Sequence, residues 1–86
     1  MRIETHKSYT KMWVKLAVQQ QKRAIDAINM FTTGNHTPAL RLHQLKGEYY
    51  PQYSISAGGD LRIHFVMQDK DKMVLLEIGT HSQLYG

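Results

Sequence analysis

Cysteine is absent from the 86 residues, which removes disulfides and thiolate metal sites from the available chemistry and fits a reducing compartment. No apolar run approaches the ~20 residues that cross a bilayer, and no leader-type segment precedes the first strand-like residues. A cytoplasmic protein with no membrane partner is therefore expected. The five histidines, at positions 6, 36, 43, 64 and 81, include no His-x3-His or similar pair, so neither a metal nor a cofactor is expected. Nor is there a phosphate-binding loop: Gly58-Gly59 is short and leads into a strand, not a helix. Internal repeats and low-complexity segments are also missing. Only Pro38 and Pro51 represent proline, and neither Gly nor Pro interrupts Ser8 to Phe31.

What is present is a small basic chain. Its length allows one domain, residues 1–86, with a modest core that a partner would help to stabilise. The net charge of +4 is unevenly placed: residues 1–46 hold eight Lys/Arg against Glu4 and Asp26, whereas residues 47–86 hold three against five acids. The basic half suits a polyanionic partner, either nucleic acid or an acidic protein segment.

Periodicity supplies the architecture. Arg2 to Thr5 alternates as an edge strand would. From Ser8, a fair N-cap, Tyr9, Met12, Trp13, Leu16 and Ala17 form the stripe of an amphipathic helix, with Lys7, Lys11, Lys15 and Lys22 roughly opposite. One helix to Phe31 would run roughly 36 Å, awkward for so small a domain, so a helical hairpin bending near Gln19–Gln21 is expected. Thr32 to Pro38 ends the helical region. The remainder reads as β: a short strand or extended arm at Leu40–Leu45, a second strand at Tyr49–Ser56 weakened at its start by Pro51, and a hairpin of Asp60–Met67 and Met73–Ile78. The expected fold is α+β, an N-terminal strand and helical hairpin packed on a small antiparallel sheet, with a short C-terminal turn or helix. In the hairpin, Leu61, Ile63, Phe65, Met67, Val74, Leu76 and Ile78 are expected inward, facing Trp13, Leu16, Ile25 and Ile28. Asp60, Arg62 and His64 then project together from the opposite face. Thr80 and Gln83 have capping-box spacing, so a helical turn starting there would put His81 and Tyr85 on one face. An imidazole suited to proton transfer, a cation and an aromatic ring thus collect near one end of the hairpin.

Three segments, in order, carry a family resemblance: Leu42-His43-Gln44-Leu45-Lys46-Gly47, Ser54 to Ile63, and Ile78-Gly79-Thr80-His81-Ser82-Gln83-Leu84-Tyr85-Gly86. The pattern resembles the small RelE/YafQ-type toxins of bacterial toxin–antitoxin systems, and the terminal Gly-Thr-His-x-x-Leu-aromatic-Gly ending is the most specific part. The resemblance implies a RelE/ParE-like two-layer fold and a metal-free mRNA endoribonuclease acting on the ribosome, held inactive in a complex with a cognate antitoxin. It further implies His81 as general acid, His43 or Asp60 as base, Arg62 on the scissile phosphate, Lys46 on backbone phosphate and Tyr85 stacked on a base. Ser56, Leu61, Tyr53 and Glu77 depart from the family pattern, standing for a histidine, a tryptophan and two arginines. The alternative the fold leaves open is a non-catalytic or ParE-like, protein-binding toxin that inhibits DNA gyrase.

Overall fold

The computed structural model describes residues 1–85; Gly86, the last residue of the terminal motif, lies outside the described residues. The elements are β1 (Arg2–Thr5), α1 (Lys7–Trp13), α2 (Val18–Thr32), β2 (His43–Gln44), β3 (Tyr53–Ser56), β4 (Leu61–Asp69), β5 (Lys72–Thr80) and α3 (His81–Tyr85), with 3-10 turns at Pro38–Leu40 and Gly47–Tyr49. The strands form one sheet in the order β1-β5-β4-β3-β2. β2 to β5 are antiparallel, as expected, but β1 runs parallel to β5, so the sheet is mixed. β1 and β5 are far apart in the chain: α1 and α2 carry the chain from the β1 edge to the opposite edge of the sheet, where β2 begins.

The helical hairpin is present, but its corner lies at Val14–Ala17 rather than at Gln19–Gln21. The glutamines instead seal that corner. Gln20 Oε1 accepts from the Ala17 N–H at 3.0 Å, capping the start of α2, and Gln21 Nε2 donates to the Trp13 carbonyl at 3.1 Å, covering the end of α1. The N-cap of α1 is also displaced from expectation. His6, not Ser8, fills it, with Nδ1 accepting from the Ser8 N–H at 3.1 Å. Neither shift is visible in periodicity, which does not report where side chains replace backbone hydrogen bonds.

The core lies between the helices and one sheet face, in rows across the strands. Ile55, Ile63 and Ile78 form one row; Tyr53, Phe65 and Leu75 form the next; Met67 and Met73 follow. Phe65 is fully buried and meets Phe31 of α2 at 4.8 Å and Tyr53 at 5.6 Å between ring centroids. A side chain of this size contributes roughly 1.5–3 kcal/mol by burial. Leu61, Ile63, Phe65 and Ile78 are inward as expected, and Met67 is partly buried against the same cluster. Val74 and Leu76 are not the core residues of β5; Met73 and Leu75 are. The cause is a bulge: His64 pairs with Glu77 but Phe65 pairs with Leu75, leaving Leu76 as an extra residue. One inserted residue reverses the alternation. On α2, Ala24, Ala27 and Ile28 are buried while Ile25 is 48% exposed, which corrects its assignment to the core. Trp13 and Leu16 pack on the cluster partly buried. No helix among the described residues is long and apolar enough to cross a membrane.

Candidate active site

Strand pairing assembles a second set of rows on the face away from the core. His43 of β2 pairs with Ser54 of β3, Ser54 with His64 of β4, and His64 with Glu77 of β5. Residues directly opposite in an antiparallel ladder share a face, so these four side chains stand in one line across the sheet. Arg62, two residues from His64, stands in the next row between Ser56 and Gly79. The bulge that puts Leu75 into the core also delivers Glu77 to His64.

Helix α3 then folds back over this face. The capping box forms as expected: the Thr80 N–H donates to Gln83 Oε1 at 2.8 Å, and the Gln83 N–H donates to Thr80 Oγ1 at 3.3 Å. Gly79 is needed beneath it, since a Cβ there would come within 2.7 Å of Gln83 Oε1 and 3.2 Å of Met12 Cε. The cap fixes α3 so that His81 and Tyr85 meet with ring centroids 4.6 Å apart. Tyr85 also lies 5.3 Å from His64 and 5.1 Å from Tyr49, which the Gly47–Tyr49 turn brings in from the other side.

His64 is the centre of this cluster and is completely buried. Its Nε2 is 3.0 Å from the Tyr85 hydroxyl, while its Nδ1 has no hydrogen-bond partner among the described residues and lies 4.0 Å from Glu77 Oε1. Burial, with His43 and His81 nearby, pushes the His64 pKa down to about 4, so the ring is neutral at physiological pH. Burial and the neighbouring Tyr49 raise the pKa of Tyr85, with Arg62 partly opposing them.

Of the residues named from the sequence, His43, Arg62, His81 and Tyr85 gather around this point. His43 and His81 are exposed, and Arg62 and Tyr85 are half-buried. The His43 Nδ1 is 2.8 Å from the Arg41 carbonyl oxygen. Arg62 Nη1 donates to the Gly59 carbonyl at 2.8 Å and to Ser56 Oγ at 3.1 Å, which anchors one side of the guanidinium to the β3–β4 turn. Asp60 lies in that turn and Lys46 just before the Gly47–Tyr49 turn, both exposed. Among the described residues, no hydrogen bond or ion pair joins either to the cluster. The remaining histidines have local roles, His6 as the α1 cap and His36 stacked 5.0 Å from Phe31. Alternation places His64 on the face with Arg62 and projects it outward, whereas the fold buries it; Glu77 stands in the sequence only as a departure from the family pattern, and Tyr49 reads as packing at the start of a strand. The i, i+2 spacing from Arg62 was the available signal for His64; its burial depends on α3 and the Tyr49 turn. No group of three or more His, Asp or Glu side chains suited to a metal ion occurs among the described residues.

No protein-family model and no curated protein matches the sequence. Solved structures do match in fold. A copper-bound leucine-to-serine variant of a toxin from Helicobacter pylori superposes with a TM-score of 0.84 at 24% identity, covering 98% of both chains. The DinJ–YafQ toxin–antitoxin complex of Escherichia coli gives 0.79 at 21% identity, over 98% of this chain and 96% of that one. A YoeB/ParE toxin from Agrobacterium tumefaciens gives 0.76 at 14% identity, over 94% and 99%. The chain therefore has the fold shared by the YafQ and YoeB/ParE toxins, over essentially its whole described length.

Proposed function

We propose that this single-domain protein is the toxin of a toxin–antitoxin pair, an endoribonuclease that cuts messenger RNA on the ribosome without a metal. The observation that carries the reading is the convergence of His43, Arg62, His81 and Tyr85 on one sheet face around His64. Cleavage through the 2′-OH needs a base, an acid and a cation within reach of one phosphate. A base removes the 2′-OH proton, the oxygen attacks the adjacent phosphorus, and an acid protonates the departing 5′ oxygen. DNA, lacking the 2′-OH, is not a substrate.

The His43 geometry supports this residue as the base in preference to Asp60. A carbonyl oxygen only accepts, so the contact with Arg41 places the proton on Nδ1 and leaves the Nε2 lone pair to take one from the substrate. His81, exposed at the start of α3, is the acid. Arg62, with one side anchored, presents its remaining N–H groups to the phosphate as a preorganised donor. Tyr85 is the stacking platform for a base, and Lys46 holds backbone phosphate further along. The complex of YafQ with DinJ suggests the partner: a cognate antitoxin that covers the cluster and through which the protein oligomerises. A cytoplasmic location follows from a substrate on the ribosome.

Primer extension on a translated message tests the reading, with growth arrest as a second readout. The unaltered protein should cut, His81→Ala should lose about 10²–10⁴-fold of that rate, and His43→Ala should lose more activity than Asp60→Ala. Equal cutting by His81→Ala would remove the terminal histidine from the mechanism. Arrest with intact messages would instead indicate a protein-binding action of the gyrase-directed kind.

A further inference from the structure

We propose that His64 is a positioning residue: its Nε2 accepts the hydrogen bond of the Tyr85 hydroxyl and so sets the orientation of the ring on which substrate stacks. The proposal rests on the function proposed above for its consequence, but its geometry stands on the fold alone. His64 is fully buried at the centre of β4, and no other polar side chain meets its Nε2 among the described residues. The direction of the hydrogen bond follows from the other ring nitrogen. Nδ1 faces the carboxylate of Glu77 at 4.0 Å with no other partner. In the Nε2–H tautomer, a bare lone pair at Nδ1 would point at that carboxylate, an unfavourable meeting of two acceptors with no donor between them. In the Nδ1–H tautomer the same contact is favourable, and Nε2 is left as an acceptor that only the Tyr85 O–H satisfies. Glu77 thus selects the tautomer, and the tautomer holds the phenol.

Tyr85 needs such a tether. It sits on a helix of five residues, and its ring has His81 on one side and Tyr49 on another. Aromatic contacts alone permit several ring tilts of similar energy, because edge and offset arrangements differ little. A directional bond from the ring tip to a residue in the sheet leaves one. Since His81 packs against the same ring, its imidazole tilted at 41° to it, the tether also limits where that imidazole sits, and the displacement of a reacting group by a fraction of an ångström matters.

The test combines a spectroscopic signature with a rescue series. In ¹⁵N-labelled protein at neutral pH, the His64 ring shifts should be those of the Nδ1–H tautomer; an Nε2–H tautomer overturns the proposal whatever the activity. In primer extension on a translated message, Tyr85→Phe, which keeps the ring, and His64→Leu should each slow cleavage roughly tenfold, the size of one oriented hydrogen bond. The double variant should be no slower than either single one, because both remove the same bond. His64→Gln, whose side-chain oxygen stands near the Nε2 position, should recover most of the rate, and it carries the comparison if His64→Leu does not fold. Full activity in Tyr85→Phe and His64→Leu overturns the positioning role while leaving the proposed function intact. A protein that cuts no message at all refutes the proposed function, and the tautomer measurement still decides the geometry.

Discussion

The two faces of the sheet are made by the same strands, and alternation assigns neighbouring residues of β4 to opposite fates. Ile63 and Phe65 enter a core closed by two helices, with partners from α2, β3 and β5. Arg62 and His64 enter a face closed over His64 by one aromatic turn and a five-residue helix. The first face is cross-braced, since each side chain touches several others. The second is not. The His64 side chain depends on Tyr85 for its only hydrogen bond among the described residues, α3 depends on one capping box, and that box depends on the missing Cβ of Gly79. Stability is concentrated on one side of the sheet and the proposed chemistry on the other.

That separation is broken most severely by changes of opposite character. His81→Ala, on the exposed site face, should remove about 10²–10⁴-fold of cleavage rate, the range for one proton-transfer group, while leaving the melting temperature within error. Phe65→Ala, on the core face, should do the reverse. It should destabilise the fold by roughly 3–5 kcal/mol, read by denaturant unfolding, and any residual folded protein should keep the site chemistry. A melting temperature that falls sharply in His81→Ala would show that the two faces are not separable.

Acid should probe the site face selectively. The unfolded chain takes up a proton on His64 near 6.5, whereas the folded chain resists until about 4. The unfolded state therefore binds more protons in that interval, and stability falls as pH drops from 6.5 towards 4, with no penalty above it. The full effect is about 3 kcal/mol, from 1.36 kcal/mol per pKa unit. Denaturant midpoints measured between pH 7 and pH 4 should show this slope, and His64→Gln should flatten it. An unchanged slope in the variant would assign the acid sensitivity to other groups.

Two smaller effects sharpen the comparison. Gly79→Ala should displace Gln83 from the Thr80 N–H and cost roughly 1 kcal/mol, the value of a helix cap, with a larger proportional loss of cleavage than of stability. Ile25→Ser, on the outward side of α2, should change stability by less than about 0.5 kcal/mol, since Ile25 is already half in solvent. A loss above that in thermal melting would put Ile25 back in the core.

The sequence by itself determined the two main helices, the β4–β5 hairpin, the α+β class, the inward set of β4 and the terminal capping box, but not the 3-10 turns at Pro38–Leu40 and Gly47–Tyr49, which run into stretches that read as strand. Each feature so determined is a local property: two- or 3.6-residue periodicity, or a side chain bonding to backbone three residues away. It also brought His43, Arg62, His81 and Tyr85 into view, by residue type and by resemblance. Only the tertiary structure decided the rest. The corner at Val14–Ala17 depends on Gln21 reaching back to Trp13, and the inward set of β5 depends on a bulge in its ladder with β4. The first is a contact eight residues apart and the second a pairing between two strands, and neither is encoded in a two- or 3.6-residue period. His64 is the clearest case. Its alternation marks it as polar and outward, and it becomes the buried centre of the site because Tyr49 and Tyr85, 15 and 21 residues away in sequence, close over it. Burial is set by what packs on a face, and that is a property of the folded chain.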